Sequence, residues 1–493
     1  MKEVNDMKRM LATIMILSIL MSGFVFADTT STVASNVKKT KQIMGKSVSI
    51  REHQTLQMKV KGKNPKWKSL NKKIATVSKR GMLIGKKKGT VIITAKVKKK
   101  VYKYKVKVKK ANTLSPIWIN GSTLKQGIYL ADRLYKKKNI VVSPLSLNMA
   151  LGMTANGIVG NISPKSDNGQ GVPAVYINPK EEVERYLGKS TEQYNQYVLD
   201  RINDSQKDNT IKITNAVWYQ NCCEISGDFE KTIQKNYNAY VKKAPFNTDT
   251  LNEINQWTKE NTEGMIEKIL NNIDKSAYAY ILNTLLFDGK WTDEIKNWQI
   301  TTGKFEKFNG QKVKTKMMQC TENRYYENDY AIAFEKTYGA DARYSFIGIL
   351  PKEKGEFRIE NLQVPKLLKK VRHKKVKVKF PKFSYQWNGK LQKTLSDTGL
   401  HYIFEAKYRP LRVMFPGEEL GPVFVDEILQ ACKIQVNEKG TKVAAATLVI
   451  PKALSVTKIA KEIVLNRPFA YIIRDNQTKD ILFVGKVTNP AVK

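Results

Sequence analysis

The chain has 493 residues, a formal net charge of +42, 41% hydrophobic residues and 26% charged residues. That length suggests more than one domain and that apolar content can fill real cores, so an intrinsically disordered chain is excluded. Four cysteines without zinc-type spacing (Cys222, Cys223, Cys320, Cys432) and three histidines in unrelated contexts (His53, His373, His401) argue against a disulfide scaffold, a metal cage or a Ser-His-Asp site. Neither an enzyme nor a cofactor protein is expected. The cysteines read as small buried apolar residues, the vicinal pair being a poor disulfide.

In chain order, a basic start (Met1 to Arg9) is followed by an almost wholly apolar run, Met10 to Phe26, and by small residues at Val25-Phe26-Ala27. This pattern predicts a secretory signal over 1–27, cleaved before Asp28. The alternative is an uncleaved anchor, since the run is near the lower limit for spanning a bilayer. No later stretch is long and apolar enough to cross.

Residues 28–111 form a second region, with short β-rich runs such as Thr90 to Val97 and Val101 to Val108 separated by Gly and Lys turns. In the latter run Lys103, Lys105 and Lys107 alternate with apolar residues, the pattern of a strand with one charged face. The elements W-K-S-L-N-K-K-I-A-T-V-S, G-M-L-I-G-K-K-K-G-T and V-I-I-T-A-K-V resemble a bacterial immunoglobulin-like domain, an all-β sandwich. About two dozen Lys and Arg face two acids here, Asp28 and Glu52. Such charge suits anionic wall polymers or glycosaminoglycans, or else Lys is simply the solubilising residue. No reader motif for specific nucleic-acid recognition is present.

From about Asn112 onward the pattern is mixed. Leu124 to Lys136 is an amphipathic helix, and Ser143-Pro144 is a good start for a second, because Ser caps and Pro fits the first turn. Gly157 to Val183 reads as a connection, Glu182 to Ile202, Phe229 to Tyr237 and Asp249 to Asn261 as helices, and Ile211 to Trp218 as a strand. Ile281 to Phe287 is a continuous apolar strand of the kind covered on both faces, interrupted by Asn283, which must find partners there. Asn437 to Ser455 alternates like a strand but has small residues, Ala444-Ala445-Ala446, at its middle, so it could slip between existing strands. Asn466 to Pro490 reads as two strands joined by a turn at 475–478.

Five motifs occur here in order: V-V-S-P-L-S-L-N-M-A-L-G-M from Val141, N-A-V-W from Asn215, L-N-T-L-L-F-D-G-K-W from Leu282, E-K-G-T from Glu438, and a terminal set of Arg467-Pro468-Phe469, Phe483, Gly485, Asn489 and Pro490. Together they resemble the serpins, serine protease inhibitors, over residues 112–493. The resemblance implies a multidomain chain: an immunoglobulin-like sandwich at 28–111, then an α+β serpin fold of about nine helices and three β-sheets with an exposed reactive-centre loop near 438–465.

The resemblance further implies a suicide mechanism. A protease cuts the loop, the loop joins the main sheet as a new strand, and the enzyme stays attached as an acyl complex. Hinge positions would be Glu438, Gly440, Thr441, Val443, Ala444, Ala445 and Ala446. The sheet-opening region would hold Ser143, Ser146, Asn283 and Trp291, with Gln430 where a histidine is usual. The scissile bond falls at Leu454-Ser455, which implies a chymotrypsin- or subtilisin-like target, although the long stretch to Arg467 leaves Lys452 or Lys458 as alternatives. Lys442, Val443 and Pro451 depart from the usual loop. A non-inhibitory surface module, and an adhesin acting through the basic region, are the competing functions. No metal, cofactor or catalytic residue is implied, and a monomer is expected.

Overall fold

The computed structural model describes residues 41–44, 47–51, 55–58, 60, 65–78, 81–98, 100–109, 119–160, 178–207, 210–417, 421, 423–441 and 459–491. The expected signal at 1–27 and the loop positions Lys442, Val443, Ala444, Ala445, Ala446, Pro451, Lys452, Leu454, Ser455 and Lys458 lie outside the described residues.

After a short strand β1 (Lys41–Met44), the first region builds two sheets. In one, β2 (Val48–Arg51) runs parallel to β8 (Lys100–Lys109), which pairs antiparallel with β7 (Gly89–Val97), itself antiparallel to β4 (Lys66–Ser69). In the other, β6 (Met82–Gly85) lies between β3 (Thr55–Gln57) and β5 (Ala75–Val77). Strand alternation sends Val91, Ile93, Ala95, Tyr104, Val106 and Val108 inward, where they join Ala75 and Leu83 in one core. Lys105 and Lys107 are left exposed, as their alternation requires.

The remainder holds eight α-helices among the described residues: α1 (Thr123–Leu134), α2 (Pro144–Asn156), α3 (Pro179–Leu187), α4 (Thr191–Lys207), α5 (Gly227–Tyr237), α6 (Thr248–Asn261), α7 (Val364–Leu367) and α8 (Gln392–Ser396). The single helix expected over 182–202 is two. Asn178 caps α3 through the amide of Glu181, so that helix starts at Pro179, inside the expected connection. Gly188, at φ 74°, then ends it in the left-handed conformation that glycine adopts without penalty.

A seven-stranded sheet forms the centre. Its order is β19 (Val371–Arg372), β16 (Tyr325–Glu327), β17 (Ala331–Tyr338), β18 (Tyr344–Pro351), β25 (Phe469–Asp475), β26 (Ile481–Val487) and β9 (Ile140–Val142). Every residue of β26 is buried, as is almost all of β25. Gly485 has a steric reason here: a Cβ at this position would collide with the ring of Tyr471 across the ladder. A four-stranded sheet runs β14 (Ile300–Glu306), β15 (Lys312–Glu322), β20 (Val376–Pro381), β24 (Lys461–Val464).

The main sheet occurs as two ladders, so the three expected sheets are four. One ladder is β11 (Ala239–Ala244), β10 (Ile211–Gln220), β12 (Ala279–Phe287). The other is β13 (Gly289–Lys290), β23 (Gly440–Thr441), β22 (Leu429–Val436), β21 (Phe383–Lys390). α2 packs behind β12, and Ile254 of α6 joins Ala216, Trp218 and Leu282 on the other face. β12 is thus covered on both sides, as its apolar run implies. No pairing joins β12 to β22.

Candidate functional site: the seam of the main sheet

The seam lies between β12 and β22, and the residues singled out in sequence gather along it. At the head of α2, Ser143 caps the helix by accepting from the amide of Ser146 at 3.2 Å. Gln430 on β22 clasps the same residue from both sides: its Nε2 donates to the Ser143 carbonyl at 2.8 Å, and its Oε1 accepts from the Ser143 amide at 3.1 Å. An amide can do both at once because it carries donor and acceptor on one head.

Asn283 does not meet Gln430. Its Nδ2 donates to Oδ1 of Asn215, directly across on β10, at 2.8 Å, and Asn215 in turn donates to the Tyr237 carbonyl at 2.7 Å. The Ser146 hydroxyl donates to the Asn283 carbonyl at 3.5 Å, the outer limit of such a bond. Each half of the sheet is therefore fastened to the head of α2, and neither is fastened to the other. Oδ1 of Asn283 is buried without a hydrogen-bond partner among the described residues, which costs about 1–3 kcal/mol.

At the upper end of the seam the chain turns back on itself. The side chain of Asn437 accepts from the amides of Lys439 and Gly440, closing a turn that returns Gly440-Thr441 antiparallel to β22 as β23. β23 then pairs with β13, with Thr441 opposite Gly289 and Gly440 opposite Lys290. A Cβ at position 440 would collide with the carbonyl oxygen of Gly289, so only glycine lets the strands close.

Thr441 is buried, and its hydroxyl shares a 2.6 Å hydrogen bond with the Tyr338 hydroxyl. Burial pushes the Tyr338 phenol well above its ordinary range, so it stays neutral. Trp291 stacks on Tyr338 with ring centres 4.3 Å apart and donates its indole N–H to the Asn437 carbonyl at 2.9 Å. Glu438 is gripped by Lys382 at 2.5 Å. Burial alone would raise that carboxyl, but Lys382, a backbone amide and Lys439 outweigh it and hold it below its usual value. A pocket beside Thr441 is walled by Leu285 and Phe287 of β12 and by Ile434 and Gln435 of β22, with Ile266 nearby.

Four partners escaped the sequence reading: Tyr338, Lys382, Asn215 and Asn437. Lys382 ends a run of lysines in which no single one stands out, and Tyr338 is one of 22 tyrosines. Asn215 carried a signal, since it opens the N-A-V-W motif. Of the cysteines, Cys223, Cys320 and Cys432 are buried as expected, whereas Cys222 is exposed. Sγ of Cys222 lies 3.4 Å from Sγ of Cys223, and both are free thiols. Burial raises the Cys432 thiol, beside Ser143, to about 12, which leaves it unreactive at neutral pH. No cluster of metal-ligating side chains occurs among the described residues, and none of their helices is long and apolar enough to cross a membrane.

A split sheet with a returning strand at its top is the architecture of a protein class, and the comparisons identify it. The model of the serpin family, described as serine protease inhibitor, matches residues 124–490. The chain belongs to the serpin family. It is 27% identical to a serpin-like protein of Thermococcus kodakarensis over 72% of this chain and 83% of that one. With Iripin-2 of Ixodes ricinus it shares 26% identity over 71% of this chain and 88% of that one. The crystal structure of the thermophilic serpin tengpin in its native state superposes with a TM-score of 0.65 at 29% identity, covering 77% of this chain and 95% of tengpin. Serpins are generally inhibitors of serine proteases rather than enzymes, and some are non-inhibitory.

Proposed function

We propose that this protein is a secreted inhibitor of a chymotrypsin- or subtilisin-like serine protease, acting by insertion of its cleaved loop. The observation that carries the reading is the position of β23: Gly440-Thr441 already lies between β13 and β22, antiparallel to β22, with its threonine buried. That is the place and direction of an added central strand. From Thr441 to Ala453 the loop can reach on the order of 40 Å when extended, about the length of a domain.

The covalent step runs as follows. The protease serine oxygen attacks the Leu454 carbonyl carbon, the Leu454–Ser455 bond breaks, and the departing Ser455 amine takes the serine proton. Leu454 is left as an ester on the enzyme. Hinge residues Val443, Ala444, Ala445 and Ala446 then follow Thr441 into the seam. New ladder bonds and buried side chains draw the enzyme away from its deacylating geometry. Lys452 and Lys458 are the other candidates for the cut, and either would imply a trypsin-like target.

In this reading residues 1–27 direct export and 28–111 form an immunoglobulin-like module, supported by the two-sheet core of β2 to β8. Anionic wall polymers or glycosaminoglycans are the ligands its charge suits.

Incubation with chymotrypsin and with subtilisin, followed by denaturing electrophoresis, tests the mechanism. A complex that survives denaturation is expected, and mass spectrometry of the released C-terminal peptide should begin at Ser455. Thr441→Arg places a charge beside Tyr338, so this variant should be cut without forming a complex. Cleavage without complex by the unaltered protein would mark it as a non-inhibitory module.

A further inference from the structure

The end of α7 and the segment from it to β20 carry Lys366, Lys369, Lys370, Arg372, His373 and Lys374, all exposed, within nine residues. No carboxylate among the described residues forms an ion pair with Lys366, Lys369, Lys370, Arg372 or Lys374. The acids nearby are engaged elsewhere: Glu462 with Lys377 at 3.8 Å, and Glu327 with Lys352 and Lys461 at 3.0 and 2.6 Å. The turn is held in place, because Val371 and Arg372 pair with Tyr326 and Tyr325 on the edge of the central sheet.

This cationic turn abuts the point where the reactive loop re-enters the body. The amide of Ala460 donates to the Lys375 carbonyl at 2.8 Å, and β24 continues parallel to β20 with Lys461 opposite Val376. Two large apolar side chains stand exposed beside the charges, Val371 at 40% and Ile459 at 49%. From Leu454 to Ile459 is five residues, so an enzyme at the Leu454-Ser455 bond sits within about 18 Å of Ile459. A protease is wider than that, so an enzyme tethered there has the turn within reach of its rim.

We infer that residues 366–374, with Val371 and Ile459, form a docking surface for the target protease, and that this target carries an acidic rim beside its active site. The inference rests on the inhibitory reading for the enzyme's position and adds the partner's surface chemistry. Opposite charges meeting at this range steer the encounter and raise the association rate by about 10- to 1000-fold at low salt, whereas a basic rim is repelled. Salt screens the effect over about 10 Å at 0.1 M, so the rate must fall as salt rises.

The test uses the full chain and its K369E/K370E/R372E/K374E variant. Each meets one apolar-pocket serine protease bearing surface carboxylates at its rim, and the same protease with those carboxylates replaced by Lys. Association rates are measured between low and high NaCl. The acidic-rim enzyme should react at least about tenfold faster with the unaltered chain than with the variant at low salt, and the two should converge at high salt. The Lys-rim enzyme should reverse that preference. All five altered or adjacent cations are solvent-exposed, and an unchanged melting temperature of the variant confirms that it folds.

Equal rates and equal salt slopes would overturn the inference. So would a preference that emerges only when a sulfated polysaccharide is added, since that would make the polymer the occupant. A protease whose catalytic serine is replaced by alanine, titrated against the intact loop, reads docking without chemistry. Failure of covalent complex formation at every salt would count against the inhibitory reading alone.

Discussion

The central seven-stranded sheet and the main sheet are built by one chain to opposite ends. In the first, seven strands pair in one continuous series and the middle strands are buried along almost their whole length. In the second, two ladders face each other across β12 and β22 with no strand pairing between them, β23 belonging to the ladder of β22. A sheet with unpaired inner edges is incomplete, because each backbone N–H and C=O along them could gain a partner from one more strand. The finished sheet supplies a rigid frame, and the unfinished one supplies the place where free energy can still be released.

The difference implies different consequences of mutation. The largest stability effect is expected in the finished sheet. Asp475, at the end of β25, is fully buried against Arg201 at 2.8 Å. Burial pushes its carboxyl up, but Arg201 and the amides of Gln477 and Thr478 outweigh this and hold it below its ordinary range. Asp475→Asn leaves the arginine buried and unpaired and should cost about 3–5 kcal/mol, lowering intact and loop-nicked forms alike in thermal denaturation. A loss confined to one form would contradict the rigid-frame role.

Gln430→Ala should cost less, about 1–3 kcal/mol, but selectively. It releases β22 from the Ser143 backbone, so the intact form should melt earlier while the gap between intact and nicked forms widens in calorimetry.

Glu182 lies buried on α3 and holds the segment at His401 and Tyr402. It accepts from the amides of His401 and Tyr402 at 2.8 Å, and burial, opposed by Arg185 and those amides, raises its carboxyl to about 7. A carboxyl whose folded value lies above its unfolded one holds its proton longer in the folded state. Stability should therefore decline as pH rises from about 4.5 to 7, by on the order of 2–3 kcal/mol, and equally in both forms. Glu182→Gln should flatten that slope in urea titrations.

The smallest stability change is expected at the top of the seam. Glu438→Lys removes the partly exposed pair with Lys382 and places two cations together, costing about 1 kcal/mol. Its kinetic signature should be larger. A synthetic peptide copying residues 441–453 should add to the seam faster in this variant, measured by native electrophoresis.

Much of this was legible in the residues. The helix start at Ser143-Pro144, the apolar run of β12 and the final hairpin follow from capping and periodicity, and the ordered motifs carried the family. The Gly440 and Thr441 positions were legible too, but not what receives them, because Tyr338 meets Thr441 across 103 residues of sequence. Asn283 and Gln430 were expected to share one cluster, yet Asn283 donates to Asn215 across on β10 and Gln430 holds Ser143 at the head of α2. No spacing rule reports such long-range pairings. The break at Gly188 depends on a single left-handed residue inside a helical pattern, which periodicity alone overrides.

The central claim is that the intact fold stores free energy which cutting the loop releases. Scanning calorimetry of the intact protein beside protein nicked once near Leu454 tests it most directly. The nicked form should melt well above the intact one, because its seam has gained a strand. Equal melting temperatures, or a lower one after nicking, would show that no such reserve exists.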